Sequence, residues 1–460
     1  MIHKYQMRGH NIVLDVGSGS VHVVDDLTYR ILDDVKGPDD VLSEELQNAL
    51  LEEYSAEEIR EACEEIADLA ESGRLFVSTD YTHYFSSMTD APIKSLCLHV
   101  AHDCNLRCKY CFASTGDFEK TRCLMPLEVG KKAIDFLLEH SGSRKNLELD
   151  FFGGEPLMNF DVVKDVVTYA RSKEAESGKK FRFTITTNGM LLDDEKIDYI
   201  NKEMYNVVLS LDGRKEVNDR MRPRIGGQGS FDAIVPKYQK FVEKRGDGQH
   251  YIRGTFTREN LDFTEDVLEM YNLGFRQLSV EPVVGNADEP YALREEDLQA
   301  VCDEYERLAE AVMEINAEKK NVNFFHFMVD LTGGPCAIKR LRGCGCGNEY
   351  VAVTPEGDIY PCHQFVGMDE WKMGNVLDET LDLAMKDQFS KTSIYSRKGC
   401  TDCWAQFYCS GGCSANSVKY CGSLNLPYEM SCALEKKRVE CAIMIKVEEA
   451  IRSQSAKTSQ

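Results

Sequence analysis

Cys104, Cys108 and Cys111, in the segment HDCNLRCKYCFAS, offer three thiolates from one short loop at C-x₃-C-x₂-C spacing. A zinc site ordinarily takes four ligands in paired cysteine or histidine units. Only three cysteines cluster here, and Cys123 lies too far along to be an obvious fourth. An iron–sulfur cube also takes four ligands. Three thiolates therefore suit a [4Fe–4S] cluster with one iron left open, and an open iron can bind a molecule that reacts.

The chain has eighteen cysteines in 460 residues. With no export signal and a reducing cytosol, metal ligation is favoured over disulfides. Beyond the first triad they gather in two further groups. Cys336, Cys344, Cys346 and Cys362 form one, the last ending a G-x₄-C run in PEGDIYPC. Cys400, Cys403, Cys409, Cys413, Cys421, Cys432 and Cys441 form the other, opening with C-x₂-C-x₅-C-x₃-C in CTDCWAQFYCSGGC. A zinc ribbon is the competing reading of this region. Cys63, Cys97 and Cys302 lie in helical or strand patterns and read as small buried hydrophobes.

Three turns could serve a ligand. Gly153–Pro156 (GGEP) brings backbone amides and carbonyls within reach of an amino group and a carboxylate. Thr186–Gly189 (TTNG) and Ser210–Gly213 (SLDG) sit at the ends of later apolar runs. Taken singly, each is an ordinary strand-end turn. His363 and Asp358, near Cys362, read as supporting or packing residues, and Cys421 and Cys441 as non-ligands.

The elements that must position these groups follow a βα alternation. Strand-like runs occur at 96–100, 147–152, 181–187, 207–211, 251–256 and 277–281, with amphipathic helices at 126–140, 160–172, 193–201 and 231–244. Alternation of this kind predicts parallel strands with right-handed crossovers, here an incomplete six-unit barrel. Chemistry in such folds sits at the C-terminal strand ends, and the first cysteine loop directly follows the first strand. Residues 1–85 differ. Two alternating runs, 12–16 and 20–24, flank Gly17-Ser18-Gly19 as a hairpin, helical patterns follow at 27–35, 43–53 and 56–72, and RLFVS could add a third strand. A small sheet with three helices predicts a winged helix-turn-helix. Residues 291–333 read as a helical connection, 334–450 as a cysteine-rich region stapled by metal–thiolate bonds, and 451–460 as a disordered tail.

Composition narrows the partners. A net charge of −23 disfavours nucleic acid, and the acidic helices of the first unit disfavour DNA in particular, so peptide capture on a strand edge is the better reading there. The chain lacks a long apolar span and a signal-peptide core, which predicts a cytoplasmic protein without a membrane partner.

From Cys104 onward the chain resembles the radical SAM enzymes: the triad with its aromatic residue in KYC, then GGEP after the second strand. That resemblance implies that Cys104, Cys108 and Cys111 are catalytic cluster ligands. It also implies that Gly153, Gly154, Glu155, Pro156, Ser210 and Arg222 bind S-adenosylmethionine (SAM). The amino and carboxylate groups of SAM would chelate the open iron, and one-electron cleavage would give a 5′-deoxyadenosyl radical that abstracts hydrogen. The C-terminal cysteines resemble the SPASM extension, which implies two auxiliary [4Fe–4S] clusters and three in all. One would use Cys400, Cys403, Cys409 and Cys432. The other would use Cys344, Cys362 and Cys413 with Cys336 as fourth, Cys346 or an open site being the alternatives.

The layout from NIVLDVGSGSVHVVDDLTY to CSGGCSANS resembles the maturases of cysteine-rich SCIFF peptides. This implies thioether formation between a peptide cysteine and the α-carbon of an acceptor, typically Thr, with an auxiliary cluster taking the second electron. The first unit would grip the leader of the precursor as a RiPP recognition element, and flavodoxin or ferredoxin would supply electrons. The alternative is an anaerobic sulfatase-maturing enzyme that oxidises Cys or Ser to formylglycine. That activity uses no appended leader-binding domain, so residues 1–85 discriminate. A pure electron carrier fits less well, because carriers ligate every iron.

Overall fold

The computed structural model describes residues 1–85, 91–285, 288–318, 321–331 and 340–458. The chain opens with an antiparallel sheet of β1 (Ile2–Met7), β2 (His10–Asp15) and β3 (Val21–Val24) in that order. Arg8 and Gly9 both have positive φ, 52° and 76°, and form the tight two-residue turn that matches strand twist between β1 and β2. The third strand is therefore Ile2–Met7, and not RLFVS as the sequence suggests. Residues 74–78 instead run as a loop, where Val77 N donates to Asp15 Oδ2 at 3.2 Å. Three helices follow, α1 (Asp26–Ile31), α2 (Glu44–Leu51) and α3 (Ala56–Glu71). In α3 a Ser55–Glu58 capping box fixes the start, Ile59, Ala62 and Ile66 face inward, and the glutamates face water. The unit is sheet-led, with every strand preceding the helices.

The barrel strands are β4 (Ser95–His102), β6 (Asn146–Gly153), β7 (Lys180–Thr187), β8 (Asn206–Ser210), β9 (His250–Phe256) and β10 (Gln277–Pro282); β5 is the short Cys123–Leu124, antiparallel to the end of β4. Each of the six is parallel to the next in chain order. Amphipathic helices Leu127–His140, Phe160–Ser177, Asp194–Glu203, Phe231–Arg245 and Phe263–Asn272 fill the crossovers. Leu98, Leu149, Phe151, Phe183, Ile185, Leu209 and Ile252 are fully buried between strands and helices.

The sheet does not stop at its six expected strands. On the β10 edge, β11 (Asn323–Phe324) adds a parallel pair. On the β4 edge, β12 (Tyr350–Val353) runs parallel to β4, and β13 (Asp358–Tyr360), β14 (Gly374–Asn375) and β15 (Thr380–Leu381) continue as an antiparallel meander. The cysteine-rich region thus borrows the barrel's ladder rather than resting on metal bonds alone. The final helix runs Glu429–Thr458 and packs on helix Leu298–Ala317, burying Leu434, Val439, Ala442, Ile443 and Met444 in the main core. Residues 451–458 continue this helix where a disordered tail is expected, because Ile451 still touches the core. His3 stacks on Trp404 at 3.7 Å and the Tyr5 hydroxyl donates to the Glu440 carbonyl, so the N-terminal sheet sits on the C-terminal region. Among the described residues no helix is long and apolar enough to cross a membrane.

Candidate metal centres

The first cysteine loop hangs from the end of β4 and is tied on both sides. Arg107 N donates to Pro223 O at 2.8 Å and Lys109 N to Met221 O at 2.9 Å, which fastens it to the segment after β8. On the other side Gly154 N donates to Ala101 O at 2.8 Å and Glu155 N to Asp103 O at 2.9 Å. A side chain has no room there. A Cβ at Gly153 would lie 2.2 Å from Ala101 O, one at Gly154 2.2 Å from Asp103 O, and Gly153 has φ +127°. The GGEP turn is therefore bolted to the residue immediately before Cys104. The Glu155 carboxylate is itself occupied: it accepts from Thr187 Oγ1 at 2.7 Å, Asn188 N at 2.8 Å and Leu157 N at 3.0 Å. What the turn leaves for a ligand is its backbone. Burial pushes the Glu155 carboxyl up to about 7.

Burial also pushes the Cys104 thiol up to about 11 and Cys108 to about 12, against the Arg222 charge, which pulls both down. Leu106 N and Asn188 Nδ2 point at the Cys104 sulfur from 3.4 and 3.5 Å. Clustered thiols of this kind fit a metal cluster, whose positive charge drives the deprotonation they otherwise resist.

Beside them lies a buried polar chain that sequence reading names only in part. The Arg222 guanidinium donates to the Tyr110 hydroxyl at 2.8 Å, and that hydroxyl donates to Asp212 Oδ2 at 2.6 Å. Thr255 N also donates to Asp212, and Arg222 stands 3.8 Å from its carboxylate. Arg222 is 8% exposed, and its Nε has no hydrogen-bond partner among the described residues. A buried guanidinium with a spare donor beside Cys108 fits the carboxylate of a ligand. Ser210 ends β8 nearby, its carbonyl accepting from the Tyr238 hydroxyl at 3.1 Å.

The C-terminal cysteines form two groups. Cys400, Cys403, Cys409 and Cys432 line one cavity with Gln406 and Lys436. Cys344, Cys346, Cys362 and Cys413 form the other: the Cys346 thiol donates to the Cys362 sulfur and holds it below its usual range, and the charges of Cys344 and Cys413 also bear on Cys346. Cys336 lies outside the described residues, so among those described Cys346 is the cysteine beside Cys344, Cys362 and Cys413. Arg397, unmarked by any motif, is 4% exposed and is held by Gly411 O, Ser414 Oγ and Ser417 Oγ at 2.7–2.9 Å. Its charge acts on Cys400, Cys413, Cys409 and Cys346, spanning both groups.

The barrel interior is aromatic and charged. His363 is packed by Phe112 and Phe152, with the Tyr350 hydroxyl 3.3 Å away, and burial holds its imidazole down at about 4. Asp358 binds Lys372 at 2.6 Å, a supporting role. At the end of β10, burial would raise the Glu281 carboxyl, but His326 at 2.9 Å, with Arg253 and Arg438, holds it well below the usual range. No sequence motif marks this group.

Residues 98–270 match the Radical SAM superfamily, and residues 344–404 match SPASM, an iron–sulfur cluster-binding domain. The chain therefore carries a radical SAM domain followed by a SPASM domain, a pairing that implies [4Fe–4S] clusters and S-adenosylmethionine. It is 22% identical over 347 residues to the cysteine-type anaerobic sulfatase-maturating enzyme of Clostridium novyi, covering 70% of this chain and 89% of that one. An uncharacterized protein of Methanocaldococcus jannaschii is 30% identical over 189 residues, 41% of this chain and 61% of its own length. Among solved structures, anSMEcpe with bound AdoMet and Kp18Cys peptide aligns at TM-score 0.65 and 21% identity, covering 78% of this chain and all of that one. Streptococcus suis SuiB bound to precursor peptide SuiA aligns at TM-score 0.54 and 18% identity, covering 93% and 98%. These structures share the fold.

Proposed function

We propose that this protein is a peptide maturase that forms thioether cross-links in a cysteine-rich precursor of the SCIFF type, joining cysteine sulfur to the α-carbon of an acceptor residue, typically Thr. The observation that carries this reading is the separate sheet-and-helix unit of residues 1–85, docked on the cysteine-rich region through His3 and Tyr5. The likeness to a structure holding a precursor peptide, over 93% of the chain, supports it. We read this unit as a winged-helix-like recognition element. Its edge strand β3, unpaired on its outer side among the described residues, would offer the leader a strand partner.

Cys104, Cys108 and Cys111 would hold the first cluster, with SAM against Gly153, Gly154, Glu155, Pro156, Ser210 and Arg222. Bound together, the two would supply radical chemistry able to take hydrogen from an unactivated C–H bond. Arg222, oriented by Tyr110 and Asp212, would bind the SAM carboxylate, and the GGEP backbone would meet its amino group. Phe152, packed on neutral His363, would help keep water from the reacting carbon. Cys400, Cys403, Cys409 and Cys432 would hold one auxiliary cluster. Cys344, Cys362 and Cys413 would hold the other, with Cys346 or Cys336 as fourth ligand. A cytoplasmic flavodoxin or ferredoxin would supply electrons.

Co-expression with a six-cysteine precursor tests the reading by mass spectrometry. The expected product lacks two hydrogens per bridge and resists thiol reductants; an unchanged mass rejects thioether formation on that peptide. A second reading, sulfatase maturation, is supported by the likeness to the Clostridium enzyme. It predicts formylglycine from a sulfatase peptide and no dependence on a leader.

A further inference from the structure

Cys123 is one of the cysteines that no cluster motif absorbs. It begins β5 and pairs with His102 across the antiparallel ladder to β4. Its sulfur lies 3.2 Å from the carboxylate of Glu356, in the turn that joins β12 to β13. A ring nitrogen of His102, the Cys123 sulfur and a Glu356 oxygen all lie within 4.8 Å of one another. Three segments far apart in sequence, two from the barrel rim and one from the cysteine-rich region, meet at that point.

His102 is fully buried, and its two nitrogens differ. Nε2 lies 3.1 Å from His99 Nδ1, whereas Nδ1 is buried with no hydrogen-bond partner among the described residues. Leaving a buried polar nitrogen unmatched costs about 1–3 kcal/mol. Ligating histidines are held in this way, one nitrogen fixed by a neighbour and the other presenting its lone pair. A sulfur, a nitrogen and a carboxylate oxygen form a donor set suited to zinc. At bond lengths of about 2.0–2.3 Å, tetrahedral ligands stand roughly 3.3–3.7 Å apart; the sulfur and carboxylate are already at 3.2 Å, and the histidine nitrogen, within 4.8 Å of both, closes by at most about 1.5 Å. Thiolate and carboxylate together carry two negative charges, which a divalent ion neutralises once the thiol proton has passed to solvent. Glu356 is exposed, which gives the ion a route in and leaves a fourth position to water.

We propose that His102, Cys123 and Glu356 form a zinc(II) site distinct from the iron–sulfur ligands, stapling the end of β4 to the β12–β13 turn. Asp103 and Cys104 follow His102 directly, so the staple holds the strand end from which the first cysteine loop hangs.

The test uses anaerobically reconstituted holoenzyme, grown with zinc and desalted over a weak chelator, with zinc and iron counted by elemental mass spectrometry. One zinc per chain is expected in the wild type. It should fall by at least about tenfold in Cys123→Ser and in Glu356→Gln, with iron unchanged. Zinc-edge X-ray absorption of the wild type should show one sulfur among nitrogen and oxygen neighbours, a result that does not depend on either variant folding. Wild-type protein without zinc, zinc retained in both variants, or a four-sulfur shell overturns the proposal.

Discussion

The Arg222 guanidinium and the Tyr110 hydroxyl, 2.8 Å apart, join the helix after β8 to the middle of the first cysteine loop. Tyr110 sits between Cys108 and Cys111, so a residue of the loop itself orients the buried cation. Arg222→Lys keeps the charge but gives up the planar fork. It should weaken SAM binding by about 10- to 100-fold, the worth of one or two charge-assisted hydrogen bonds, with iron content unchanged. Calorimetric titration of the anaerobic protein with SAM checks this, and wild-type affinity would remove Arg222 from the SAM site. Tyr110→Phe should give a smaller loss of the same kind.

Gly154→Ala tests the bolt between GGEP and the cysteine loop. The new Cβ would start 2.2 Å from the Asp103 carbonyl oxygen, so the strand end beneath Cys104 must move. A cost of about 1–3 kcal/mol is expected from such overpacking. Reductive cleavage of SAM should fall with it, measured as 5′-deoxyadenosine released. Undiminished 5′-deoxyadenosine would mean that the contact does not hold the loop.

Arg397 tests the electrostatics of the C-terminal cysteines. Its guanidinium is buried against oxygen acceptors and acts on both groups. Arg397→Met removes the charge and leaves those neutral acceptors unmatched, at about 1–3 kcal/mol each where they stay buried. Without the cation, reduction adds negative charge to a site with less compensation, so the auxiliary midpoint potentials should become more negative. Redox titration followed by electron paramagnetic resonance reads this directly, and unshifted potentials would restrict Arg397 to a packing role.

The parallel strands were legible because each apolar run alternates with an amphipathic helix, as at 147–152 followed by Phe160–Ser177. β1 was hidden because its inward residues are His3, Tyr5 and Met7, a set that does not read as a core stripe. The strands from β12 to β15 are two to four residues long and exist through their neighbours, above all the pairing of Val351 with Leu96. The SPASM resemblance, not spacing by itself, groups Cys400, Cys403, Cys409 and Cys432, four residues that line one cavity. It could not suggest Arg397, Asp212 as partner of Tyr110, or Glu281 with His326, because those contacts form only when the barrel closes.

Glu155 gives a prediction in pH. Burial raises its carboxyl from the ordinary carboxylate range to about 7 despite three donors. The folded state therefore holds the proton more tightly than the unfolded chain. The stability this provides is fully present below about pH 4.3 and is lost as pH rises through about 7. Between pH 6 and 8 the wild type should lose on the order of 1 kcal/mol from this group. Glu155→Gln cannot ionise. It should be less stable throughout, because its amide nitrogen replaces one accepting oxygen, yet lack that slope. Denaturant midpoints of both proteins at pH 6 and pH 8, measured anaerobically, decide the matter. Equal slopes would show that another group titrates in this window.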